Sequence, residues 1–302
     1  MAANYWDSTQ ARYWTFTKEE LKEMELQLFQ ANRNLITKYP LPEQRLLNIF
    51  LQGQLLKLGR RMNLRQQALA TAQVYVRRFY TKVEIRKTNP YLLMTTAVYL
   101  ACKMEESPVH IRLMLAEAAR QWPELGINDS SKIGECEFAL ISTLQARLVL
   151  HHPYRTLTDL APTFSMSTEE ISLAHSIIND HYNTDLPLMH PPHIIAVTAI
   201  FLAIVLRPNQ TGLQQHSAGA ASAERIQANM NQALSIISGT MGKQHHAKLG
   251  RLVEWLTESD INMEAVISST QELISLYEVW EGYSERPCKE AISRFMKDGL
   301  GK

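Results

Sequence analysis

Histidine and carboxylate side chains would carry most hydrolytic or metal chemistry, so their spacing is the first thing to read. The ten histidines include the adjacent pairs His151–His152 and His245–His246, with His190 and His193 close in sequence. Neighbouring residues face different directions, so such pairs rarely hold one metal, and no Cys or Asp stands near them at ligand spacing. They read as solvated loop histidines. The acidic pairs Glu105–Glu106 and Glu169–Glu170 fall at helix ends and give no acid/base couple. GxGxxG, GxxxxGK[ST], HExxH and GxSxG are all absent. No catalytic residue, metal site or cofactor is expected. One charge is oddly placed: Lys103 closes a strongly apolar stretch, after Leu100-Ala101-Cys102 and before Met104-Glu105-Glu106. By itself it could serve only to complement a helix C-terminus.

The elements that must position these groups are helices. Residues 43–58 place Leu46, Leu47, Phe50, Leu51, Leu55 and Leu58 at helical spacing, and 65–82 do so with Ala68, Ala72, Tyr75, Val76 and Phe79. Residues 91–104 are apolar nearly all round, the pattern of a helix buried on every side. Amphipathic stretches follow at 110–121 and 131–148, and again at 245–258 and 262–281. No stretch alternates as a strand would, so the fold class is all-α.

The second half repeats the first at an offset of 102. Ala72, Val76, Tyr80 and Pro90 map to Ala174, Ile178, Tyr182 and Pro192. Thr96, Ala97, Tyr99, Leu100 and Ala101 map to Thr198, Ala199, Phe201, Leu202 and Ala203. Each copy reads as a helix ending near a Tyr, a connection, a Pro in a first helical turn, then an apolar helix. Lys103 and Glu137 have no charged counterpart: their second-copy positions hold Val205 and Gly239. One copy has therefore specialised its surface. Residues 149–165 read as a connection with two prolines. Within the second copy, 208–220 read as a flexible insertion, followed by a helix over 221–237, and the chain's end reads as a frayed tail.

Taken together, Arg65-Gln66-Gln67-Ala68, Arg78-Phe79-Tyr80, Leu100 to Glu106 and Glu135-Cys136-Glu137-Phe138 resemble the cyclin box. More narrowly, Asn4-Tyr5-Trp6, the phrase at 65–80, His152-Pro153-Tyr154-Arg155 and Ile178-Asn179-Asp180 with Tyr182 and Thr184-Asp185-Leu186 resemble the cyclin C family, the cyclins of the Mediator-associated kinase module. The resemblance implies two tandem five-helix boxes: an N-terminal helical segment over 1–40, a first box over 41–150, a second over 151–286 with an insertion near 207–247, and a tail over 287–302. It implies a non-catalytic subunit that binds and activates a cyclin-dependent kinase, with further Mediator kinase-module subunits as partners, RNA polymerase II transcription as the pathway and a nuclear location.

Carried onto this sequence, the family places Lys103 and Glu137 together as the kinase contact; Tyr5 and Trp6, on a short N-terminal segment with Trp14 and Phe16, read as aromatic anchors packing either on the kinase or, as a structural staple, on the boxes. Asn179 and Asp180, just before Tyr182, read with Glu105 and Trp6 as lining a groove for another subunit, the alternative being a solvated helix surface. The basic cluster Arg77, Arg78, Lys82, Arg86 and Lys87 reads as a solvated face with snorkelling stems, able to meet acidic partners. The Met-Arg-Ala-Ile-Leu patch with which cell-cycle cyclins dock substrates is replaced here by LLNIFLQGQLLKL at 46–58, which favours a transcriptional cyclin. The alternatives are a cyclin of the cyclin H or cyclin T type, or a DNA-bound factor of the initiation factor IIB type.

Composition bounds these readings. Lys+Arg of 31 against Asp+Glu of 30 leaves a net charge of +1, too little for a nucleic-acid coat or polybasic membrane binder. Cys102, Cys136 and Cys288 form no CxxC, which suits a reducing compartment. The longest apolar run, 194–206, is broken only by Thr198 and is too short to span a bilayer.

Overall fold

The computed structural model describes residues 4–206 and 243–299, and among these there are helices and turns but no strand. The chain divides into two compact units. Of the described residues, the first comprises 4–152, 187–189 and 283–299, and the second 153–186, 190–206 and 243–282. The insertion expected at 208–220 and the helix expected over 221–237 lie outside the described residues.

In the first unit, the short helices α1 (Thr9–Tyr13) and α3 (Arg33–Lys38) flank α2 (Lys18–Ala31), and these three precede α4 (Gln44–Arg61), α5 (Gln66–Tyr80), α6 (Pro90–Met104), α7 (Ile111–Gln121) and α8 (Ser131–Thr143). Helix α6 is the axis, packed by α4, α5, α7 and α8. Its Ala97, Val98, Ala101 and Cys102 have no exposed surface. Small side chains let four neighbours approach one helix, and the dispersion contacts so made reward close packing. The start of α6 is fixed by Asn89, whose Oδ1 accepts from the Tyr91 and Leu92 amides at 3.1 and 3.2 Å, with Pro90 in the first turn. Where α4 nears α5, a Cβ at Gly59 would overlap the buried Leu69 side chain, so a larger residue there would force Leu69 to move.

The second unit contains α9 (Tyr154–Leu160) and α10 (Thr168–His181). Beyond the single-turn α11 (Leu186–Met189), whose residues 187–189 belong to the first unit, it continues with α12 (Pro192–Val205), α13 (Lys243–Glu258) and α14 (Met263–Glu281). Helix α12 is its axis, packed by α9, α10, α13 and α14. The duplication is visible in the helix starts: α5 at Gln66 and α10 at Thr168, α6 at Pro90 and α12 at Pro192, each 102 apart. Matched positions share burial: Ala72 with Ala174, Val76 with Ile178, Ala97 with Ala199, Ala101 with Ala203.

Three expectations are corrected. Helix α8 stops at Thr143 rather than 148, because Gln145 and Ala146 both turn left-handed (φ 57° and 54°). Their amides cap the Ser142 and Ile141 carbonyls at 2.9 Å each. The 149–165 connection contains α9, with Pro153 at its N-cap. The tail is no frayed end: α15 (Glu285–Gly299) packs into the first unit's core through Cys288, Ile292 and Phe295. Glu285 accepts from Gln54 at 2.8 Å and pairs with Lys57, and Lys289 meets Glu124 at 3.0 Å.

Candidate partner-binding site

Helix α6 ends in a reverse turn that sets Lys103 in place. Glu106 takes the left-handed conformation (φ 52°). The Ser107 amide closes on the Cys102 carbonyl at 2.9 Å and the Glu106 amide on that of Lys103 at 3.3 Å. This is the double-bond helix stop usually made with glycine. It ends the helix at Met104 and turns the chain at Glu106, in the last turn beside Lys103, whose side chain is exposed.

The Lys103 ammonium pairs with Oε1 of Glu137 on α8 and lies 4.6 Å above the Tyr99 ring. The lysine side chain is 40% exposed and the glutamate 14%. The carboxylate is thus the sunken anchor and the ammonium the displayed group. An ammonium has three donors, so those not used toward Glu137 can meet backbone carbonyls of a partner. Next to these charges in sequence, Met104 is 37% and Phe138 78% exposed. Phe138 lies off the buried stripe of α8 formed by Ile133 and Leu140. Sequence reasoning passed over Phe138 and Met104 as contact residues. The available signal was a large apolar side chain out of phase with its helix's apolar face. The second-copy equivalent of Lys103, Val205, is half-buried, and Gly239 lies outside the described residues.

Tyr5 and Trp6 sit on a short 3₁₀ turn capped by Asn4. The Tyr5 hydroxyl lies 3.1 Å from the Thr15 hydroxyl, and its ring stands edge-on to Trp6 and His151. Burial pushes the Tyr5 phenol above its usual range. Trp6 is 63% exposed, so Tyr5 is the partly buried support and Trp6 the displayed surface.

The expected groove residues are placed differently. Glu105 accepts from the Gln67 amide at 2.7 Å and the Thr71 hydroxyl at 2.6 Å. That Thr71 hydroxyl also meets His152 Nε2 at 2.8 Å, so His152 is no solvated loop histidine. In the second unit, Asn179 accepts from Tyr154 at 2.8 Å and Asp180 from Tyr277 at 2.9 Å. Burial raises the Asp180 carboxyl to about 6 against the opposing pull of that hydrogen bond. Tyr182 is only 2% exposed and its ring packs against His181; it is core, not a groove wall. Glu169 and Glu170 lie in the first turn of α10, where Glu170 completes a capping box with Ser167 and meets Lys248 at 2.9 Å. Among the described residues no group of His, Cys, Asp and Glu is placed to hold a metal ion, and no helix is long and apolar enough to cross a membrane.

The basic cluster is not a uniform solvated face. Arg78 is fully buried, stacked 4.7 Å from the Trp14 ring. Arg86 pairs with Glu84 and donates to the Tyr39 carbonyl at 2.7 Å.

Residues 21–149 match the cyclin N-terminal domain. The chain is 54% identical to an RNA polymerase II holoenzyme cyclin-like subunit of Aspergillus oryzae (strain ATCC 42149 / RIB 40), over 98% of both chains. This chain belongs to that cyclin family. Another cyclin-like subunit, from Neurospora crassa, is 45% identical over 100% of both chains. Among solved structures, the fold resembles a chain of the CAK complex from Chaetomium thermophilum bound to ATP-gamma-S (TM-score 0.64, 20% identity, covering 100% of this chain and 90% of that one). It also resembles a chain of yeast TFIIK (Kin28/Ccl1/Tfb3) (TM-score 0.57, 17% identity, covering 90% and 100%). In this cyclin-like chain, then, the Lys103–Glu137 pair sits within the matched domain, at the end of its central helix.

Proposed function

We propose that this chain is the non-catalytic regulatory subunit of a cyclin-dependent kinase that acts in RNA polymerase II transcription, and specifically the cyclin of the Mediator-associated kinase, working in the nucleus. The carrying observation is the Lys103–Glu137 pair, a sunken carboxylate holding a displayed ammonium at the end of the central helix. Such a pair presents donors to the carbonyls that a kinase regulatory helix leaves open at its end. Phe138 and Met104 add apolar area beside it.

The subunit supplies no reacting group. Binding energy spent on the active kinase conformer shifts the kinase's population toward the state in which its internal Lys–Glu pair is formed. Family membership with cyclin-like subunits of the polymerase II holoenzyme supports the pathway, and the Asn4-Tyr5-Trp6 and Ile178-Asn179-Asp180 phrases support the Mediator-associated branch over the cyclin H or T branch. A DNA-bound factor of the IIB type gives way to the cyclin family. Glu105 in the first unit and Asn179 and Asp180 in the second are assigned to contacts with further subunits of the module.

The test is affinity purification of the full chain from its own cells, with mass spectrometry and kinase assay of the eluate. A kinase together with Mediator subunits is expected. A kinase of a different transcriptional complex would overturn the Mediator assignment, and absence of any kinase would overturn the whole reading.

A further inference from the structure

Three segments of the first unit meet around Trp14: residues 4–16, 66–83 and 144–152. Their charges do not balance. Arg78, 0% exposed, stacks on the Trp14 ring and donates through Nη1 to the Arg147 carbonyl at 3.3 Å. Its Nε and Nη2 are buried with no hydrogen-bond partner among the described residues. Lys82, exposed, holds its ammonium 4.8 Å from the same ring. Arg147, half-buried, stacks 3.5 Å over the Tyr13 ring. Glu84, just beyond, is paired with Arg86, and Glu105 is held by Gln67 and Thr71, so the three segments themselves contain a single carboxylate, Asp7. It is taken by Asn4 at 2.7 Å and Arg12 at 3.6 Å.

Gathering like charges without a counter-ion is unfavourable, and the cost is larger where one of them is desolvated. Lys82 records that cost: burial and the nearby Arg147 charge both lower it below an ordinary lysine. Arg78 is depressed by burial to about 9, so it remains a cation at neutral pH. A lone carboxylate would neutralise one of three charges, whereas a phosphate carries nearly two and offers three strong acceptors. The aromatic rings of Tyr13 and Trp14 hold the cationic heads in place, which limits the side-chain entropy lost on binding.

We propose that Lys82 and Arg147, underlain by Arg78, form a docking site for a phosphorylated serine or threonine side chain on an acidic peptide segment of a partner protein. Lys82 and Arg147 make the direct contacts. Arg78 contributes its field from beneath the Trp14 ring and fixes the Arg147 backbone. The site shares no residue with the Lys103–Glu137 pair and can be tested on the chain alone, so its failure leaves the kinase reading untouched.

The experiment is fluorescence anisotropy on the full chain with three labelled acidic peptides that differ only at the central residue: phosphoserine, glutamate or serine. The phosphoserine peptide is expected to bind at least about tenfold more tightly than the glutamate one. Lys82→Ala and Arg147→Gln should each weaken it by about tenfold, the usual worth of a charge-assisted contact. Lys82→Arg should retain binding, and Lys22→Ala on α2 should have no effect. Equal binding of phosphoserine and glutamate peptides would overturn the phosphate assignment. Equal losses for Lys22→Ala and Lys82→Ala would reduce the site to unspecific charge attraction and overturn it as well. Unchanged thermal melting of Lys82→Ala ensures that a loss is not one of folding.

Discussion

Lys103 and Glu137 come from different helices, 34 positions apart in sequence, and meet as an ion pair in which the acid is the more buried member, 14% against 40% exposed. The asymmetry assigns the roles. Removing the glutamate frees a lysine that water can solvate, whereas removing the lysine strands a half-buried carboxylate.

Reversal of the displayed charge should act chiefly on partner binding, with a smaller cost to the fold from the Glu137 carboxylate left without its cation. Lys103→Glu is expected to leave the helical circular dichroism signal intact and to abolish kinase co-purification, a loss of at least about a hundredfold because two acids would then face the partner. Phe138→Ala should weaken binding by roughly tenfold with no change in melting, since an exposed ring contributes little to the fold. Kinase capture at the unsubstituted level by Lys103→Glu would remove the pair from the interface.

The C-terminal helix belongs energetically to the first unit. Phe295, 1% exposed, lies in that unit's core beside Ile292, so Phe295→Ala should cost about 3–5 kcal/mol. Truncation after Gly282 should destabilise the first unit severely while leaving the second nearly as stable as before. Urea unfolding, followed by hydrogen exchange resolved to each unit, would show this; loss confined to the second unit would contradict it.

Two neighbouring groups in the second unit titrate with opposite sign. Asp180 is raised to about 6 by burial, so between its unfolded value near 4 and about 6 the native state holds the extra proton, and stability falls as pH rises. His181 is lowered to about 4, again by burial, so between about 4 and its unfolded value near 6.5 the unfolded state holds the extra proton, and stability rises with pH. The two slopes nearly cancel. Asp180→Asn should unmask a melting temperature that climbs steadily from pH 4 to 6.5, and should also raise it at pH 7.5. A flat profile in that variant would refute the opposition.

Left-handed helix stops without glycine leave stability in reserve. Ala146, at φ 54°, has no side-chain polar group to compensate the strain, so Ala146→Gly should raise stability by about 0.5–1 kcal/mol, after the glycine's larger unfolded entropy is subtracted. Chemical denaturation would measure it, and a loss of stability would show that the Ala146 methyl group is needed for packing.

The sequence by itself determined the all-α class, the two-copy register and the burial of α6 and α12. Each is a property of helical periodicity, which repeats along the chain and survives in any one segment. It also marked Lys103 and Glu137 as charges present in one copy only, although the role proposed for them came from resemblance. Only the tertiary structure decided where α8 ends, because the stop is made by Gln145 and Ala146 in a conformation that residue type does not announce. The same holds for α15: its segment is too polar on average to read as core, yet Cys288, Ile292 and Phe295 share one face that α4 and its neighbours cover. Arg78 is the sharpest case. An arginine beside another arginine reads as surface, and burial became possible only when Trp14, some sixty positions earlier, closed over it and exchanged water for a ring face. Periodicity is local and legible; which distant side chain covers which charge is settled by packing.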